Sequence, residues 1–122
     1  MSYVENLENS KSEYPFEFWL SLHNKGLSKY SADNCSEVKR IFDNLIEQLQ
    51  HLTPDSSDAV KLEEFRKAVL QLNNVRQHKP YLIETMEREE FCELIDIIGS
   101  AAGLNVDEIS NGQDLASLWR TW

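Results

Sequence analysis

The stretch ETMEREEFCELID, residues 84–96, places six carboxylates in thirteen positions and sets them among Met86, Phe91, Cys92, Leu94 and Ile95. Carboxylates at this density serve one of two chemistries. They hold a divalent cation when they converge, or they neutralise a basic macromolecule when they face outward. At about 100° per residue, Glu89, Glu93, Asp96 and Ser100 fall on one stripe, opposite Phe91, Ile95 and Ile98. Glu84 and Glu87 belong to the start of the same helix. There, exposed N–H groups favour negative charge by roughly 0.3–1 kcal/mol per group.

The convergent chemistry needs partners that the sequence does not supply in pattern. Inward Glu-x-x-His pairs define di-iron bundles, but none of His23, His51 and His78 has a glutamate three residues earlier. Helical magnesium-dependent nucleotide pyrophosphohydrolases use Glu-x-x-Glu on one helix and Glu-x-x-Asp on the next. Glu93 and Asp96 match the second half. Glu84, Glu87 and Glu90 offer the first half only on the same helix. No glycine-rich phosphate loop, His-Glu-x-x-His, Gly-x-Ser-x-Gly or Cys-x-x-Cys occurs. The reading is therefore non-enzymatic, with no metal and no cofactor; a small magnesium-dependent nucleotide hydrolase is the enzymatic alternative. Cys35 and Cys92 stand far apart in helix-patterned stretches and are expected to be buried free thiols.

Net charge is -9 over 122 residues, and it is unevenly placed. Residues 84–114 hold nine acids against the single base Arg88. Such a block repels phosphates, so nucleic acid is not expected as a direct ligand. It favours a basic partner and fast, salt-sensitive association. No apolar run approaches the ~18 residues of a membrane span. The opening MSYVENLENSKSEY has neither a basic nor an apolar leader region, so a reduced, cytoplasmic setting is expected.

The elements that must carry these residues follow from apolar spacing. Residues 1–13 are polar and unpatterned and predict a flexible arm, with a domain over 14–122. Pro15 opens a first helix with Phe16, Trp19, Leu20, His23 and Leu27 on its apolar side, His23 as a hydrogen-bonded residue at the core edge. Asp33 to Ser36 supply N-cap candidates for a helix whose face is Val38, Ile41, Phe42, Leu45, Ile46, Leu49 and Leu52. Thr53, Pro54 and Asp55 predict the start of a third helix with the seam Leu62, Phe65, Val69 and Leu72. Arg76, His78 and Lys79 then form a small basic patch before Pro80. A fourth helix begins near Thr85, carries Phe91, Leu94, Ile95, Ile98 and Ala102 inward, and stops at Gly103. Asp114 caps a short last helix whose Leu115, Leu118, Trp119 and Trp122 share a side, the tryptophans sealing the end of the core. The sum is an all-α, single-domain bundle of four to five amphipathic helices.

ETMEREEFCELID, IGSAAGLN and the closing LASLWRTW make residues 82–122 resemble the small acidic helical immunity proteins of bacterial polymorphic-toxin and contact-dependent inhibition systems. The resemblance implies a cytosolic antidote, often against a nuclease, that occludes the active site of a cognate toxin domain. It brings no fixed residue positions with it. The binding face is read from charge alone: Glu89, Glu93 and Asp96, with Glu90 at the edge and Asp107 and Glu108 nearby. These would pair with Lys or Arg of a basic toxin domain, and the free protein is expected to be a monomer. A helical adaptor or regulatory module, recognised by an exposed apolar groove and by self-association, is the alternative from another class.

Overall fold

A computed structural model describes residues 2–122. Among them are six α-helices: α1 (Tyr3–Asn9), α2 (Phe16–Asn24), α3 (Ala32–His51), α4 (Asp58–His78), α5 (Thr85–Ala101) and the single-turn α6 (Val106–Ile109). Three 3-10 turns, Ser10–Glu13, Ser28–Tyr30 and Leu115–Leu118, complete the regular structure, and there is no strand among the described residues. The architecture is the all-α bundle that the apolar spacing predicts.

The long pair α3–α4 is the frame. Each starts at a serine whose side chain accepts a backbone N–H of the first turn, Ser31 from Asn34 and Ser57 from Val60. The caps lie elsewhere than expected. Ser31 precedes the 33–36 cluster, and Thr53–Ser56 is a closed turn, with Ser56 N donating to Thr53 O at 3.0 Å. That turn is pinned by the buried Lys61, whose Nζ donates to Pro54 O at 2.9 Å. The two helices run antiparallel. At their far end, Lys79 Nζ bonds Asn34 Oδ1 at 2.8 Å and pairs with Glu37 at 3.3 Å. Lys79 and His78, which bonds Asn74 O, are thus engaged locally, and the basic patch reduces to Arg76.

Helix α5, whose Phe91, Leu94, Ile95 and Ile98 are all buried, meets this frame through the ring of Phe91 against Phe42. Phe91 is the aromatic centre. Its ring lies 5.5 Å from Phe42 of α3, 5.6 Å from Trp19 of α2 and 6.0 Å from Trp122 of the tail. Gly103, at φ +86°, ends α5, and Leu104 N–H returns to Gly99 O at 3.0 Å. Gly99 also lets two elements come close. A Cβ there would stand 2.7 Å from Leu115 Cδ1 and 3.1 Å from Val106 Cγ2. The last turn starts at Asp114 as expected, though as 3-10 rather than α, and it leaves Leu118 outside.

Two expectations are corrected. The described part of the expected arm, residues 2–13, is not loose, and Met1 lies outside the described residues: Tyr3–Asn9 is helical, capped by Ser2, with Leu7 fully buried. Tyr3 Oη donates to Leu49 O at 2.7 Å, and Gln50 Nε2 donates to Val4 O, so α1 closes the C-terminal end of α3. The segment has only one large apolar anchor, too few to show a period. His23 is exposed, not at the core edge, because the short α2 buries only Phe16 and Trp19 and leaves Leu20 and Leu27 outside.

Leu7→Ala tests the role of α1. If the segment belongs to the cooperative unit, the substitution lowers unfolding free energy by about 2–4 kcal/mol at unchanged denaturant slope. A loss under 0.5 kcal/mol on the order expected of surface sites would detach α1 from the core.

Candidate functional site

Helix α5 sorts its carboxylates by the direction each faces. Glu87 is 1% exposed, despite carrying a charge. Its Oε1 accepts from Lys29 Nζ at 3.0 Å and from Glu84 N–H at 2.9 Å, and its Oε2 accepts from Tyr30 Oη at 2.5 Å. Lys29 also bonds Glu84 at 3.0 Å. Burial by itself would raise the Glu87 pKa. The bonds from Tyr30, the Glu84 backbone and Lys29 outweigh it and hold the carboxyl below the usual glutamate value. The same contacts raise Lys29 against its own desolvation, and burial with the Glu87 bond raises Tyr30. One turn on, Trp19 Nε1 donates to Glu90 Oε1 at 3.0 Å. These contacts tie α2 and the Ser28–Tyr30 turn to the first two turns of α5.

The remaining acids define the candidate site. An open groove of about 880 Å³ runs between α5 and α6, lined by Glu93, Asp96, Ser100 and Asp107 with Ile97, Leu104 and Val106 among its apolar walls. Asp96 is half-buried, and its Oδ1 accepts Leu115 N–H at 3.0 Å. Burial raises its pKa first, and the neighbouring Asp114 and Asp107 raise it further, against the Leu115 bond. Glu93 and Asp107 are exposed, and their side chains have no hydrogen bond or ion pair among the described residues. Glu89 is likewise exposed and unpaired. Glu108 is exposed, and its side chain accepts from Asn105 Nδ2, the side chain of its own helix cap.

The six acids singled out by charge therefore separate. Glu93, Asp96 and Asp107 meet at one groove; Glu89 and Glu108 stay outside its lining; Glu90 is turned toward Trp19. Lys29 and Tyr30 escaped sequence reasoning because they lie more than fifty residues from Glu87. A signal did exist: Glu87 stands four before Phe91 and seven before Leu94, which places it on the buried face. Cys35 is buried and Cys92 half-buried, both free. Burial first, then Asp114, pushes the Cys92 thiol up to about 12, far from a reactive thiolate at neutral pH.

Among the described residues, no group of three or more His, Cys, Asp or Glu side chains is placed to hold a metal ion. No helix of the described residues is long and apolar enough to cross a membrane. Comparison with family models, with curated proteins and with solved structures finds no match.

The Glu87 cluster gives a pH signature with a definite sign. A carboxyl whose folded pKa lies below its unfolded value, near 4.5, contributes stability above that pH and loses it as pH falls through the folded value. Unfolding measured from pH 6 downward, with those limits set roughly by carboxyl titration, should show this loss. Glu87→Gln should cost about 2 kcal/mol at neutral pH, since Lys29 keeps Glu84 and partial solvent, and it should flatten the acid limb. An acid limb equal in the variant and the parent would remove Glu87 as its source.

Proposed function

We propose that this chain is an inhibitor of the immunity type, which binds a basic toxin domain, in the first instance a nuclease, and covers its cleft with the α5–α6 face. The observation that carries the reading is the groove of Glu93, Asp96 and Asp107, whose carboxylates form no ion pair with a cation among the described residues. Glu89 and Glu108 extend the negative surface beyond it. A nuclease cleft is built to hold phosphates, so it presents Lys and Arg. Carboxylates on a stiff helix can occupy the places those phosphates take. Ile97, Leu104 and Val106 add apolar wall beside them, the combination of desolvated centre and charged rim that protein interfaces use.

The raised Asp96 pKa supports the same reading. Burial is its first cause, and the nearby Asp114 and Asp107 add to it; the repulsive share is what a cationic partner would relieve. The resemblance of residues 82–122 to immunity proteins supports it from the sequence side. A cytoplasmic setting and action without a cofactor belong to the proposal.

The adaptor reading has one observation in its favour. Phe18 is 54% exposed on α2, with Leu20 and Leu27 also exposed nearby in sequence. Sedimentation separates the two. Concentration-dependent self-association favours the adaptor, and a monomer favours the inhibitor.

A basic nuclease domain encoded beside this chain should lose its activity on addition of one equivalent of it. The double change Glu93→Lys with Asp107→Lys should then weaken binding by roughly tenfold or more at low salt and by less at high salt. Calorimetry at two salt concentrations reads both. Tight binding that ignores salt and the reversal alike rejects this face.

A further inference from the structure

With 21 acids against 12 bases, an arginine of this chain has many carboxylates to choose from. Most bases are engaged. Lys11, Lys39, Arg66 and Lys67 pair with acids one turn away, Lys29, Lys79 and Arg120 pair elsewhere, and Lys61 is bonded to Pro54 O. Among the described residues, the side chains of Lys25, Arg40, Arg76 and Arg88 have no hydrogen bond or ion pair. Two of these four share a surface. Arg40 of α3 lines a groove of about 430 Å³ together with Leu70 and Asn74 of α4. Arg76 lines a second groove, of about 630 Å³, with the same Leu70 and Asn74. Leu70 and Asn74 are one helical turn apart, so they form the ridge between the grooves, with an arginine for each. Leu70 is 41% exposed. The second groove has no acid in its lining, and Glu37, the acid of the first, is already held by Lys79 at 3.3 Å.

We propose that this α3–α4 face docks a short acidic segment of a protein partner, with a carboxylate for Arg40, a carboxylate for Arg76 and an apolar side chain against Leu70. Each guanidinium offers a planar fork that matches a carboxylate. Gln71, Asn74 and Gln77 have side-chain amides without a partner among the described residues, and such amides donate to and accept from peptide groups. Leu70 and Arg76 stand about 9 Å apart along α4 at ~1.5 Å per residue. An extended chain covers that distance in about three residues. Leu70 is what distinguishes a peptide from a phosphate, which gains nothing from an apolar ridge. The net charge of -9 also repels a long polyanion such as nucleic acid. None of these residues belongs to the α5–α6 groove, so this face holds or falls apart from the inhibitor reading.

NMR titration of the whole, isotope-labelled chain tests this, with an acetylated and amidated Glu-Asp-Leu-Phe-Glu-Asp peptide as probe. The same peptide with serine for leucine and phenylalanine is one control, and sodium phosphate is the other. The probe should shift the amide signals of Arg40, Leu70, Asn74 and Arg76. The serine peptide carries the same charge and should bind roughly fivefold more weakly or worse, for want of apolar contact. Arg40→Gln with Arg76→Gln should lower affinity for the probe roughly tenfold or more at low salt, and by less at high salt. Leu70→Ser should weaken the probe and leave the serine peptide unchanged. All three side chains lie outside the core, so the variants keep the fold, and their spectra verify it. Absence of probe binding overturns the proposal, as do shifts confined to other residues and an affinity indifferent to the two arginines. Equal shifts from phosphate or from the serine peptide overturn it too, since the face then reads charge alone. Self-association in sedimentation that the double arginine variant abolishes makes a second copy the occupant, and that also overturns it.

Discussion

A carboxylate taken out of water must be met by donors, and the donors of Glu87 organise one end of this molecule. Lys29 and Tyr30 lie on the 3-10 turn between α2 and α3, and Glu84 lies at the start of α5. The charge makes the meeting specific, because breaking a buried pair leaves an uncompensated ion, whereas sliding an apolar contact costs little. Tyr30 and Trp19 are both buried, and they stack at 4.9 Å beside the cluster. The polar contacts and the aromatic chain through Phe91 therefore fix the same arrangement twice.

With Glu87 fixed inward, the direction of every other acid on α5 follows from the 3.6-residue turn. Glu90 falls at the flank and finds Trp19. Glu93 and Asp96 fall at the mouth of the groove that α6 closes. Glu89 points to solvent. One acid-rich helix thus does two jobs that oppose each other energetically. Paired acids hold the fold, and the side chains of Glu89, Glu93 and Asp107 are left without a partner among the described residues. That division is what a binding face needs, since charges already satisfied within the chain gain little from a partner.

The long helices α3, α4 and α5, most of their apolar faces and their order were legible in the residues. Phe91, Leu94, Ile95 and Ile98 repeat at helical spacing, and so do Val38, Ile41, Phe42 and Leu45. This periodicity is a local property that tertiary packing then uses unchanged. Local signals failed where several residues compete for one role. Among Ser31, Asp33 and Ser36, the cap is the one whose backbone is extended, and sequence does not show that. Residues 3–13 looked unpatterned because a single leucine anchors them. His23 looked internal because a stripe can be drawn through it, yet α2 ends before anything covers it.

The sequence by itself determined that the chain is helical, most of the apolar positions that α3, α4 and α5 bury, and that nearly all its excess charge lies between residues 84 and 114. Those are matters of composition and period, and they need no knowledge of neighbours. Only the tertiary structure decided which acids are bonded inside the fold and which face outward. Lys29 reaches Glu87, Trp19 reaches Glu90 and Leu115 reaches Asp96 across separations that no local rule spans. The fate of a charge depends on what stands within a few ångströms of it, and that is settled by how helices pack, not by where they fall along the chain.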